Sequence, residues 1–163
     1  RSELVQATAT VSSPKGVADE VNDRVIDFLR RVKKYATVNY VLFEPDAIRY
    51  VCGGGNGLLI HSGKAITFSR QDSFLGLRRR PYRESELPFV KGDLLALYTD
   101  GIVQAQNQHQ EDYTIRRLNR LIQTHAQKPV SQILEICVSD YQRFCAEPQD
   151  DETLLIVRKT NEP

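Results

Sequence analysis

Two acidic stretches combine residue types and spacing that chemistry can use. The first is Thr99-Asp100-Gly101, delivered at the end of the apolar run Leu94–Leu97 with Tyr98 behind it. Bounded by Gly92-Asp93 and by Gly101, the run has the length and composition of a buried strand. Such a strand is a rigid mount for a carboxylate, and Gly101 lets the backbone turn tightly beside it. The second stretch is Gln149-Asp150-Asp151-Glu152-Thr153, at the entrance of another strand-like run, LLIVRK. Adjacent carboxylates repel one another unless solvent or a cation relieves the crowding. If Asp100 and Asp150 meet at their strand ends, they form a pair of hard oxygen donors, suited to Mg²⁺ or Mn²⁺ rather than zinc. Such ions generate hydroxide and clamp a phosphoryl group for in-line displacement. Spacing alone favours the plainer reading, in which these are turn and capping aspartates.

Other chemistries find little support. Cys52, Cys137 and Cys145 sit in apolar settings that raise a thiol's pKa instead of activating it. His61, His109 and His125 lack metal-ligand spacing, and each is expected to be exposed or at a turn. No Walker loop, HExxH or GxSxG occurs. The run Gly53-Gly54-Gly55-Asn56-Gly57 lies between two strand patterns and opens no helix, so phosphate-loop and dinucleotide readings fail on context. It reads as a tight turn or bulge where another backbone comes close, in preference to a ligand contact.

The elements that must position the aspartates follow from periodicity. Ser13-Pro14 starts an amphipathic helix over about residues 14–34, with Val17, Val21, Val25, Phe28, Leu29 and Val32 at helical spacing. Residues 2–11 fit the back half of an earlier helix. TVNYVLF and AIRYVCG, separated by Glu44-Pro45-Asp46, form a hairpin. Leu58–Ile60 and Ala65–Phe68 flank the turn His61-Ser62-Gly63-Lys64, and residues 71–92 are irregular. Two helices follow the central strand, around Ile115–Ile122 and Val130–Phe144, before the strand Thr153–Lys159 closes the chain. Strands grouped together, with helices outside them, give an α+β layered domain with antiparallel sheets.

Bulk properties set bounds on partners. At 163 residues the chain is one domain, and 40% hydrophobic and 26% charged residues are ordinary for a soluble protein. A net charge of +1 leaves no electrostatic footprint for nucleic acid or a membrane surface. No apolar run is long enough to span a bilayer. Three cysteines, an odd number, point to a reducing compartment and the cytoplasm. There is no methionine, and the chain opens on Arg1 within a helix-like stretch, so further residues are expected upstream.

The segments resemble, in order, the SpoIIE-like branch of the metal-dependent (PPM) bacterial serine/threonine phosphatases. The matches are SPKGVADEVNDRV, TVNYVLF, IRYVCGGGNGLLI, FLGL, FVKGDLLALYTDGIVQAQN, the helix start near TIRRL and the terminal DDETLLIVRK. Together they cover nearly the whole chain, and YTDG followed by DDxTLLIVR is the most specific part.

The resemblance implies a PPM phosphatase-like layered sandwich, two antiparallel β-sheets flanked by α-helices. It implies that Asp100 and Asp150 bind Mn²⁺ or Mg²⁺ in a two-metal site, with Asp151 beside them as a hydrogen-bonding group, Gly101 at the turn and a metal-activated water as nucleophile. The substrate class implied is a phosphoserine or phosphothreonine on a regulatory protein of the anti-sigma-factor antagonist type, with a sensor or receiver domain upstream. The loop bearing Arg78, Arg79, Arg80 and Arg83 would flank the site, where arginine matches phosphate geometry, although such a cluster is more often a solvated loop.

The sequence also departs from the family pattern. The family's metal-binding aspartates in a Gly-Asp strand and an Asp-x-x-Gly-His-Gly turn have no counterpart here. The usual Ala-Gly-His turn reads Gly53-Gly54-Gly55, and the usual Glu after the YTDG motif is Gln104. Residues 1–163 are therefore expected to form one SpoIIE-like phosphatase domain lacking its first strands and half its metal ligands. The rival is a non-catalytic PPM-fold binding module in a bacterial signalling pathway.

Overall fold

A computed structural model describes residues 8, 12–69, 72–147 and 150–160. The expectation for residues 2–11 falls, apart from Thr8, outside them. Helix α1 spans Pro14–Arg31. Its start is the one the sequence signals: the Ser13 side chain accepts a hydrogen bond from the Gly16 amide at 3.1 Å, and Pro14 occupies the first helical position. It stops short of the expected residue 34 because Lys33 takes a left-handed conformation, φ 54°. The Lys33 amide then bonds to the Arg30 carbonyl and the Lys34 amide to the Leu29 carbonyl, which is a Schellman closure made without glycine.

Strands β1 (Val38–Phe43), β2 (Ala47–Gly53), β3 (Asn56–His61), β4 (Lys64–Ser69), β5 (Ser85–Pro88) and β6 (Leu94–Tyr98) follow. Helices α2 (Asp100–Val103), α3 (Ile115–Thr124) and α4 (Val130–Phe144) come next, and strand β7 (Leu154–Arg158) is last. Four helices and two antiparallel sheets, ordered β1-β2-β5 and β4-β3-β6-β7, thus make up the described residues. The α+β class read from the sequence is the one observed. Strand β5 lies within the stretch expected to be irregular. It pairs Ala47 with Pro88 through Tyr50 with Ser85 at the edge of its sheet, where a proline is tolerated.

The chain separates into two compact units, residues 1–55 with 68–89, and residues 56–67 with 90–163. In the first, Val17, Ala18 and Val21 of α1 pack with Val51, Leu75 and Tyr82. The glycine run behaves as expected of a close-packed turn. Gly54 has φ +75°, and a Cβ there would lie 2.4 Å from the Phe74 ring. One on Gly53 would lie 2.9 Å from the Ser73 carbonyl oxygen. In the second unit, Leu58, Ile60, Leu94, Ala96 and Tyr98 present one face of the sheet to Leu118, Ile122, Ile133 and Cys137 of α3 and α4. Each leucine and isoleucine among them contributes about 1.5–3 kcal/mol on burial. Among the described residues no helix is long and apolar enough to cross a membrane.

Asp93, which reads in sequence as a turn residue, is 3% exposed. Its carboxylate accepts from the amides of Val90 (2.8 Å) and Ser62 (3.2 Å) and meets His61 Nδ1 at 2.7 Å. It thereby joins the β3–β4 turn to the entrance of β6. Asp93→Ala would leave the half-buried Val90 amide and the amide of the exposed Ser62 without their acceptor, and a loss of about 1–2 kcal/mol in urea denaturation is expected.

Candidate functional site

Strand β6 ends at Tyr98, whose backbone partner is Leu154, the first residue of β7. Antiparallel pairing therefore brings the residues after 98 and those before 154 to the same end of the ladder. Thr99 joins them three times. Its amide donates to the Thr153 carbonyl at 3.1 Å, its hydroxyl donates to the Asp151 carbonyl at 2.8 Å, and the Thr153 amide donates to that hydroxyl at 2.9 Å. Thr99 is extended (φ −83°, ψ 160°) and precedes α2, so Asp100 is the first residue of a short helix and not the last of a strand. Four residues leave no helical periodicity to read in advance.

Gly101 makes this closeness possible. A Cβ there would lie 2.3 Å from the Asp151 carbonyl oxygen and 3.3 Å from the Asp150 carbonyl carbon. The backbone of Gly101 thus lies against that of Asp150 and Asp151 in the second unit, with Asp100 next to it in sequence. Asn56 of β3, which faces Tyr98 in the ladder, completes the corner: its Nδ2 donates to Asp100 Oδ1 at 2.5 Å, and the residue is 1% exposed. Read in sequence, Asn56 is one more turn residue in a glycine run. Its signal was its place at the start of a strand destined to pair with the one that delivers Asp100.

The crowded acids are partly relieved by hydrogen bonds. Asp150 Oδ1 accepts from the Asp151 amide at 2.8 Å. Glu152 accepts from the Tyr141 hydroxyl of α4. Burial pushes the Tyr141 phenol upward, and its hydrogen bonds to Cys145 and Glu152 add to this, so it stays a donor. Asp100, half-buried, and Asp150, exposed, remain as two hard-oxygen donors on fixed backbone, a chemistry that fits Mg²⁺ or Mn²⁺. Among the described residues no group of three or more His, Cys, Asp or Glu side chains could hold a metal ion.

The two buried thiols do not compete as nucleophiles. Burial pushes the Cys137 thiol up to about 11, and Cys52 donates to the Gly55 carbonyl at 3.1 Å. Arg78, Arg79 and Arg80 belong to the first unit. Arg79 reaches back to α1, 2.7 Å from Asp27 and 3.4 Å from Asp23, while the Arg78 carbonyl accepts from Asn22 at 3.0 Å. Arg79 is in this respect a structural residue, and the side chains of Arg78 and Arg80 are exposed.

The family model for stage II sporulation protein E (SpoIIE) matches residues 1–160. No curated protein matches the sequence. Among solved structures, the SiaA-PP2C domain of Pseudomonas aeruginosa superposes with a TM-score of 0.85 at 20% identity, covering 98% of this chain and 67% of its own. The PP2C phosphatase domain of SpoIIE from Bacillus subtilis, solved with a fragment of its regulatory domain, gives a TM-score of 0.76 at 16% identity, with 96% of this chain and 47% of that one covered. The catalytic domain of the serine/threonine protein phosphatase PstP, in complex with two manganese ions, gives 0.60 at 11% identity, covering 95% and 76%. The fold is that of the PP2C (PPM) phosphatases, and the chain spans about two thirds of the SiaA domain and about half of the SpoIIE fragment.

Proposed function

The chain belongs to the SpoIIE family, and from that premise we propose that it is the greater part of a Mg²⁺- or Mn²⁺-dependent serine/threonine protein phosphatase domain. Its substrate is a phosphoserine or phosphothreonine on a regulatory protein of the anti-sigma-factor antagonist type, and its place is the cytoplasm. The observation that carries the reading is the corner at which Thr99 and Gly101 bind the Asp150–Asp151 backbone against the helix that begins with Asp100. The two manganese ions in the PstP complex support the choice of metal. The regulatory fragment in the SpoIIE structure supports a sensor or receiver domain upstream.

In this reading Asp100 and Asp150 hold the metal, and Asn56 fixes the Asp100 carboxylate through its amide. Asp151 supports Asp150 with its backbone N–H, and Thr99 keeps the two segments in register. Bound metal supplies an acidified water and charge neutralisation at the phosphoryl oxygens. Arg78 and Arg80 remain as steering groups for a phosphorylated partner. The remaining ligands of the family's two-metal centre stand on a Gly-Asp strand and an Asp-x-x-Gly-His-Gly turn that the present sequence does not contain.

The test is hydrolysis of p-nitrophenyl phosphate by the full native-length protein. Turnover is expected with manganese, lost on chelation and restored by added Mn²⁺ or Mg²⁺. A folded protein that stays inactive with metal present would exclude the enzyme and favour a PPM-fold binding module.

A further inference from the structure

Helix α3, IRRLNRLIQT, contains three arginines and no acidic residue, on a chain whose net charge is only +1. Arg116, Arg117 and Arg120 line a concavity of about 500 Å³ together with Asp140 of α4. Its floor is fixed. Arg117 forks onto Asp140 with Nε–Oδ2 2.9 Å and Nη2–Oδ1 3.0 Å, and its guanidinium stands 5.1 Å from the Tyr113 ring centroid and 4.6 Å from that of Phe144. The Tyr113 hydroxyl donates to the same carboxylate at 2.8 Å. The charge of Asp140 is thus taken up by Arg117, whose hydrogen bonds hold that carboxyl below its usual range. Arg116 and Arg120 are exposed, and among the described residues neither forms an ion pair.

We propose that this concavity is a docking surface for an acidic segment of a partner protein, whose carboxylates are taken by Arg116 and Arg120. The two arginines are one helical turn apart, so their Cβ atoms are separated by about 5–6 Å. That nearly matches alternate residues of an extended peptide, about 6.6 Å apart along a strand. Each guanidinium can then fork onto one carboxylate. The surface is too small for nucleic acid, which needs a longer basic stripe. It stands whether or not Asp100 binds a metal.

The experiment uses the full native-length protein and a fluorescein-labelled peptide with glutamate at alternate positions, beside the same peptide with glutamine there. Fluorescence anisotropy should show binding of the glutamate peptide alone, weakening as added salt screens exposed charges. The Arg116→Ala/Arg120→Ala variant should bind about tenfold more weakly, and Arg116→Lys/Arg120→Lys should lie between. Both side chains are exposed, so an unchanged melting temperature and unchanged p-nitrophenyl phosphate turnover confirm that the variants are folded. NMR shifts on titration should centre on the Arg116 and Arg120 side chains. Equal binding of the glutamine peptide, or undiminished binding by the alanine variant, would overturn the proposal. Tighter binding of a single-stranded oligonucleotide of equal charge would overturn it in favour of nucleic acid.

Discussion

Asp100→Asn should lower metal-dependent hydrolysis by about 10²-fold or more while leaving the fold in place. Removing even an outer-sphere partner of a metal ligand costs about 10- to 100-fold, and a ligand itself should cost no less. The substitution is nearly isosteric. The amide oxygen introduced at position 100 can still accept the Asn56 hydrogen bond that Asp100 Oδ1 accepts now. What disappears is the negative charge, which a hard cation requires. Stability should stay within about 1 kcal/mol, since the side chain is only half-buried. Manganese titration followed by turnover and thermal denaturation separates the two effects. Full activity in the variant would remove Asp100 from the centre, whereas a collapsed melting temperature would make its role structural.

Gly101→Ala should damage both properties together. The added methyl would meet the backbone of Asp151 at 2.3 Å and of Asp150 at 3.3 Å. Neither neighbour is a flexible side-chain end that can swing away, so the Asp150–Asp151 segment has to move. The bond from the Thr99 hydroxyl to the Asp151 carbonyl stretches with it. Overpacking and the weakened hydrogen bond together should cost about 2–4 kcal/mol. A displacement of about 1 Å at a catalytic carboxylate can cost about 10²-fold in rate. Denaturant titration and turnover should therefore fall in the same variant, with the largest chemical-shift changes at residues 150–153. An unaltered unfolding midpoint would mean that the two segments are not held against each other.

That Asp100 and Asp150 belong to one site came from the resemblance, since spacing alone favoured turn and capping aspartates and Gly101 read only as a tight turn. The supporting groups were hidden for a different reason. Asn56, Thr99 and Asp93 have residue types that turns and caps use routinely, so nothing local distinguishes a tertiary partner from a turn former. Their roles depend on strand pairing between distant residues, such as Asn56 with Tyr98. His61, expected at a turn, instead ends β3 against the buried Asp93. The hairpin of β1 and β2 was legible because it is local and strongly β-branched. Strand β5 was not, because Ser-Glu-Leu-Pro offers one apolar residue and a proline.

The chain passes back and forth between its two compact units. Residues 56–67 belong to the second, yet they are flanked in sequence by residues 1–55 and 68–89 of the first. During vectorial synthesis the β3–β4 hairpin therefore leaves the ribosome well before β6, which pairs Leu59 with Leu95, and longer still before β7. At ordinary elongation rates the interval is on the order of seconds. The hairpin can close alone through Ser62-Gly63, both at positive φ. Its buried strand then waits with an open, apolar edge. Nascent chains stalled when residues up to about 90 have cleared the ribosome should consequently be the ones that recruit a chaperone, and the exit of β6 should release it.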